Sequence, residues 1–135
     1  MNLRILTAVA FAAAVLVCNS AFGAGDVADA IDAAAAEVEA KVIEWRRHFH
    51  EHPELSNREV ETAKKVEKHL RSLGLDVQTG VAKTGVVGVL RGGKPGPVVA
   101  LRADMDALPV VEQTGEPFAS KVRSTYEGQD VGVMH

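Results

Sequence analysis

At Gly74 the hydrophobic period of this chain changes, and that change limits its fold more than any other feature. Before it, apolar residues recur at helical spacing; after it they come in short valine- and leucine-rich runs separated by glycine or proline. From Asp26 to His50 the residues Val27, Ile31, Ala34, Val38, Val42, Trp45 and Phe49 are spaced 4, 3, 4, 4, 3 and 4 apart. They form one stripe of an amphipathic helix, expected to pack against a core, with Glu37, Glu44 and Arg46 on other faces. Pro53 ends it, because proline disfavours helical geometry in the residue before it. A second helix is predicted from "SNRE", where Ser56 caps the amide of Glu59 and Glu59 reaches back. Val60, Ala63, Val66, Leu70 and Leu73 carry its apolar stripe, and Gly74 supplies a left-handed stop.

Beyond Gly74, "LDVQT" (75–79), "GVVGVLRG" (85–92) and "PVVALRAD" (97–104) are predicted strands, with "GGKPG" (92–96) as a hairpin loop. The unbroken apolar run from Val98 to Leu101 is the pattern of a strand buried on both faces. From Pro109 to His135 the pattern is irregular, interrupted by Gly115, Pro117, Gly128 and Gly132, and no strand is predicted there. Two helices followed by strands, one of them doubly buried, predict an α/β layer structure.

The amino terminus is of another kind. "MNLR" is a short positive start, "ILTAVAFAAAVLVC" is apolar, and "NSAFG" places Ala21 and Gly23 where a signal peptidase reads. Residues 1–23 are therefore expected to be a secretory signal peptide, with 24–135 the exported segment, periplasmic or secreted. The apolar run is short of the ~20 residues that span a bilayer, so no stable membrane anchor is expected after cleavage. Lipid attachment at Cys18 is a rival, against which Val17 is bulkier than the usual residue at that cleavage position. Cys18 is the only cysteine, so the exported segment can form no disulfide and depends on packing. The formal net charge is −3, and losing Arg4 with the signal makes it more acidic. That gives no electrostatic reason to expect nucleic acid as a partner.

Two constellations carry candidate chemistry. "HFHEHPEL" (48–55) places histidines at 48, 50 and 52. On a helix His48 and His52 share a face, while His50 lies about 200° round the axis at ~100° per residue. Pro53 is expected to unwind the turn that would hold the pair together. With Glu51 and Glu54 the only other ligand types nearby, the cluster reads more simply as polar groups at the negative end of a helix. Arg46 and Arg47 read the same way, as a solvated helix end. In "VVALRADMDALP" (98–109) an apolar strand delivers Arg102, Asp104 and Asp106, which alternate and so point to one side of an extended chain. Carboxylates at the carboxyl end of a sheet strand sit where open α/β sheets bind ligands. Buried, they need a positive partner: Arg102, a metal ion or a metal-bound histidine. An Arg–Asp ion pair closing the sheet edge explains the residues equally well.

Three stretches, "WRRHFHEHPELSNREVETAKKVEKHLRSLGLDV", "KTGVVGVLRGGKPGPVVALRADMDALPVVEQTGEPFAS" and "GVMH", resemble the metallo-amidohydrolases related to hippurate hydrolase and the plant auxin-conjugate hydrolases. These fall within the aminoacylase and carboxypeptidase-G-like two-metal hydrolases. The likeness runs from residue 45 to 135, and "RRHFHEHPELS" and "ALRADMDALPV" are its specific parts. It implies the amino-terminal part of a catalytic domain with a mixed sheet between helices, interrupted in the family by a smaller dimerisation domain. It implies hydrolysis of amide bonds in N-acyl amino acids or similar amides. The cofactor implied is two divalent ions, either zinc, manganese, cobalt or nickel, and the full-length protein is expected to be a homodimer.

Within the wider family, a His-x-Asp pair at the end of this strand supplies one ligand and one orienting acid. Asp104 stands at the histidine position here and Asp106 at that of the acid. The amidohydrolase branch shares Ala-Asp-Met-Asp and draws ligands from a Met-His-Ala-Cys-Gly-His-Asp segment, of which Met134 and His135 are present. Asp106, Asp104 and His135 are thus expected to line or support the site; no residue is assigned as catalytic or as a metal ligand. His50 belongs to a turn outside the family's ligand set. The family mechanism needs a metal to lower the pKa of water to about 7 and a carboxylate to take its proton. No matched position provides either, so the 135-residue chain alone is expected to be inactive and poorly folded. The rival expectation is a truncated, non-enzymatic periplasmic module that keeps the helices and first strands as a binding surface.

Overall fold

A helix is stabilised less by its own propensity than by what its apolar stripe covers, and the two helices here differ in that respect. The computed structural model describes residues 24–135; the predicted signal peptide and Cys18 lie outside them. The chain divides into two units, Met1–Glu37 and Val38–His135. Helix α1, Ala24–Glu51, has 28 residues. In the first unit its Val27 and Ile31 are exposed, and in the second unit so are Val38, Val42 and Ile43. The expected packing of the whole stripe is thus corrected. Burial begins at Trp45, whose ring meets His69 at 4.5 Å, and at Phe49, over which Lys65 lies. No helix among the described residues is long and apolar enough to cross a membrane.

Helix α2, Val60–Ser72, starts three residues later than a cap at Ser56 implies. Its first amides are capped from outside, because the Glu54 carboxylate accepts from Glu61 N (3.2 Å) and Thr62 N (2.8 Å). The reciprocal Ser56–Glu59 box does not form. Ser56 Oγ accepts from Asn57 Nδ2, while Glu59 turns inward to accept from Thr84 Oγ1 at 2.5 Å. A carboxylate acceptor outcompetes a hydroxyl at the positive end of a helix. The carboxyl end of α2 follows the sequence. Gly74 adopts φ +78°, Leu75 N donates to Leu70 O and Gly74 N to Arg71 O, the paired bonds of a Schellman stop.

Strands β1 (Asp76–Val81) and β2 (Gly85–Val89) pair antiparallel, and α2 packs on them. Gly88 makes that packing close. A Cβ there would lie 3.0 Å from Leu75 Cδ2 and 3.1 Å from Leu70 Cδ1. The predicted third strand does not form. Residues 97–104 run without sheet pairing, and Val98 and Leu101 are 96% and 97% exposed. The "GGKPG" hairpin loop falls with it. An apolar run is buried only if neighbouring strands and covering layers exist for it, and none of the described residues provides them.

A hairpin instead occupies the stretch that looked irregular. Strands β3 (Arg123–Tyr126) and β4 (Gln129–Gly132) pair antiparallel through a turn at Glu127 and Gly128, both at positive φ. Arg123 clamps Asp130 across the ladder at 2.6 Å, and Arg58 Nη1 donates to Thr125 O at 2.7 Å. The α/β class stands, with the sheet elements among the described residues drawn as two antiparallel hairpins.

Candidate functional site

One buried apolar cluster of the second unit is built from three short pieces of chain. Leu55, Ala107 and Val133 are buried together, and Val122 packs against them. Backbone bonds fix their order. Leu55 bridges Ala107 in parallel, with Ala107 N donating to Glu54 O at 2.8 Å. Leu108 bridges Met134 in antiparallel fashion through two bonds of 3.0 and 3.1 Å, and Val133 N donates to Val122 O. Asp106 immediately precedes this junction and His135 immediately follows it. By antiparallel register His135 stands opposite Ala107, so two of the three predicted site residues leave the same junction.

Asp104 and Asp106 have different surroundings. Asp104 is exposed and accepts from Arg102 Nη2 at 2.6 Å, the ion pair held open as an explanation of "LRAD". Asp106 is half-buried, close enough to Glu59 for its charge to be felt there. Burial raises the Glu59 carboxyl and the Asp106 charge adds to that. The Thr84 hydroxyl and the backbone amides of Glu59 and Asn57 prevail and hold it below the ordinary carboxylate value. Neither Glu59 nor Thr84 is read from the sequence as a site residue; Glu59 enters there only as half of a capping box.

The histidine cluster divides as the helix geometry requires. The rings of His48 and His52 meet edge to face at 4.8 Å, because α1 stays helical through Glu51. The helix does end before Pro53, but the bond from His52 N to His48 O at 3.0 Å keeps its last turn closed, so the expected separation of this pair is corrected. His50 points to a different part of the fold and bonds through Nε2 to Glu112 Oε1 at 2.7 Å. Arg46 and Arg47 are exposed, as expected of a solvated helix end, and they also lie over the ring of Phe118 at 5.8 and 5.1 Å.

Glu112 was invisible in the sequence, as an isolated acid in an irregular stretch. Its side chain is 1% exposed and accepts from Thr114 Oγ1 (2.5 Å), His50 Nε2 and Ser120 N. The Thr114 hydroxyl first, then His50 and the Ser120 amide, lower its pKa from 4.5 to about 2 against the effect of burial. A depressed carboxylate contributes stability that is fully present above its unfolded value and is lost as pH falls through the folded one. Urea midpoints of the full-length gene product should therefore fall between pH 4.5 and 2. The variant E112Q should lose that part of the dependence; an unchanged profile would contradict the assignment.

Among the described residues, no three histidine, cysteine, aspartate or glutamate side chains gather closely enough to hold a metal ion. The described residues thus do not fit a metal centre by themselves.

No protein-family model matches the chain. A thermostable carboxypeptidase of Saccharolobus solfataricus is 53% identical over 100 residues, which is 73% of this chain and 23% of that protein. An N-acyl-L-amino acid amidohydrolase of Geobacillus stearothermophilus is 48% identical over 99 residues, again 73% of this chain and 25% of the relative. The crystal structure of the Bacillus subtilis YxeP protein, described as a dinuclear metal-binding peptidase of the M20 family, superposes with a TM-score of 0.62 at 44% identity. That match covers 74% of this chain and 26% of YxeP. The chain is a homologue of the M20 amidohydrolases and peptidases. The chain spans about a quarter of the length of the relatives it matches. Its helices and hairpins correspond to part of an α/β hydrolase domain, as the resemblance implied.

Proposed function

We propose that the protein carrying these residues is a metal-dependent hydrolase of amide bonds in N-acyl amino acids or similar small amides, working with two divalent ions. The observation that carries this reading is the 48% identity to an N-acyl-L-amino acid amidohydrolase over 73% of the chain. In this reading the chain supplies flanking groups and the 135 residues alone are inactive, which is supported by the absence of a gathered ligand set among the described residues. Asp106, half-buried beside the junction, supports the site from behind its ligands, and His135 lines it. Asp104, paired outward with Arg102, borders it. The protein is exported to the periplasm or beyond, which the apolar amino-terminal run supports, and works as a homodimer without nucleic acid or a stable membrane anchor.

The decisive experiment is an assay of the full-length gene product on benzoyl-glycine and a panel of N-acetyl amino acids, before and after chelation. Amide hydrolysis should vanish on chelation and return with zinc, manganese, cobalt or nickel. Failure to cleave any N-acyl amino acid, or hydrolysis indifferent to chelator, would overturn the reading.

A further inference from the structure

The motif "HFHEHPEL" is among the most specific stretches of this chain, yet the proposed chemistry assigns it nothing. The structure shows what it touches. Its His50 and Glu54 hold two points of one other segment, residues 106–112. Glu54 O accepts from Ala107 N at 2.8 Å at the near end, and His50 Nε2 bonds to Glu112 Oε1 at 2.7 Å at the far end. Between those points the segment makes its two bonds to Met134 through Leu108. It also lies against β4 so closely that a Cβ on Gly132 would be 2.8 Å from Val111 Cα.

The far anchor is well protected. The Glu112 side chain is 1% exposed and that of His50 15%, and the His50 ring meets Phe118 at 5.6 Å. The other two donors to Glu112, Thr114 and Ser120, belong to its own loop. Beside the Arg46 and Arg47 contacts with Phe118, the hydrogen-bonded link from this loop to α1 among the described residues passes through His50. A carboxylate so enclosed tolerates the loss of a donor badly, because the charge stays buried with fewer partners.

We propose that His50 and Glu112 are a positioning pair that sets the segment 106–112 against α1, and so fixes where Asp106 and His135 emerge beside the hydrolytic site. This rests on the proposed function for its consequence in catalysis, but its structural half can be tested without it. The aligned segment is the one whose near end is Asp106 and whose Leu108 holds Met134, the neighbour of His135. His50 and Glu112 touch no reacting atom.

The test compares wild type, H50A, H50Q and E112Q in the full-length gene product, following hydrogen exchange residue by residue. Glutamine at 50 keeps an N–H donor at similar reach. In H50A the amides of Leu108 and Met134 should exchange roughly tenfold faster while those of β1 and β2 keep their rates. H50Q should stay within about threefold of wild type, and E112Q, which loses the charge, should fall between. In turnover, H50A should lower kcat roughly tenfold with KM within about twofold, and H50Q should restore it.

Unchanged exchange at Leu108 and Met134 in both H50A and E112Q would overturn the pair, as would equal acceleration in β1 and β2 or an H50Q no better than H50A. Should H50A fail to fold, the E112Q result decides in the same terms. Wild-type protein inactive on every N-acyl amino acid would instead sink the proposed function, leaving the exchange data to judge the pair.

Discussion

Replacing Leu55 by alanine should lower the stability of the full-length gene product by about 2–5 kcal/mol, the range for a buried leucine truncated in a core that cannot collapse. Leu55 is the largest side chain in the cluster it forms with Ala107 and Val133. Ala107 has nothing to lose, and Val133, 1% exposed, cannot move to fill the space while its amide is tied to Val122. Against a typical total of ~5–15 kcal/mol this is a large share. The same residue bridges Ala107, so the cavity opens directly beside Asp106. Chemical denaturation measures the effect; a midpoint equal to that of wild type would mean that the cluster is not the core of the native domain.

The second large effect is expected in function. On the proposed function, Asp106→Asn preserves shape and removes charge, and it should cost about 10–100-fold in metal affinity or turnover, the range for residues that orient metal ligands. Asp104→Asn is the internal control. Its carboxylate is exposed and paired with Arg102, and such pairs are worth about 0–1 kcal/mol. Metal content and kcat of the two variants, measured side by side, should therefore separate them clearly. Equal losses would show that the exposed ion pair of Arg102 and Asp104 is rearranged in the full-length protein, and no loss in either would remove Asp106 from the proposed site.

How far the sequence could be read depended on whether a residue's fate was decided locally. The stop at Gly74 was legible because a left-handed residue after a helical stripe has few other uses, and its hydrogen bonds are all within five residues. The start of α2 was misplaced because the acid that caps it, Glu54, lies outside the helix and takes the amides of Glu61 and Thr62. Glu59 bonds to Thr84 instead. Strands β3 and β4 carry little apolar alternation in "RSTY" and "QDVG", so the pattern that reveals a half-buried strand was missing; only Gly128 hinted at a turn. Val98–Leu101 erred the other way, since an apolar run records a preference for burial and says nothing about which partners are present. At the site, Asp104 and Asp106 were equivalent by spacing and became distinct only through Arg102 and Glu59. The bond between His50 and Glu112 joins residues 62 apart, beyond the reach of any local pattern.

The bare stretch from Val98 to Leu101 has a practical consequence. Both of its backbone edges lie open, so in concentrated solution it is a template onto which other chains can add. The flanks limit the damage. Pro95 and Pro97 offer no amide on one side, and the charges of Lys94 and Arg102 bracket the run and discourage stacking in register. Colloidal behaviour of the 135-residue polypeptide should thus be governed by four uncharged residues, and a lysine placed at Val99 is the economical way to keep it dispersed.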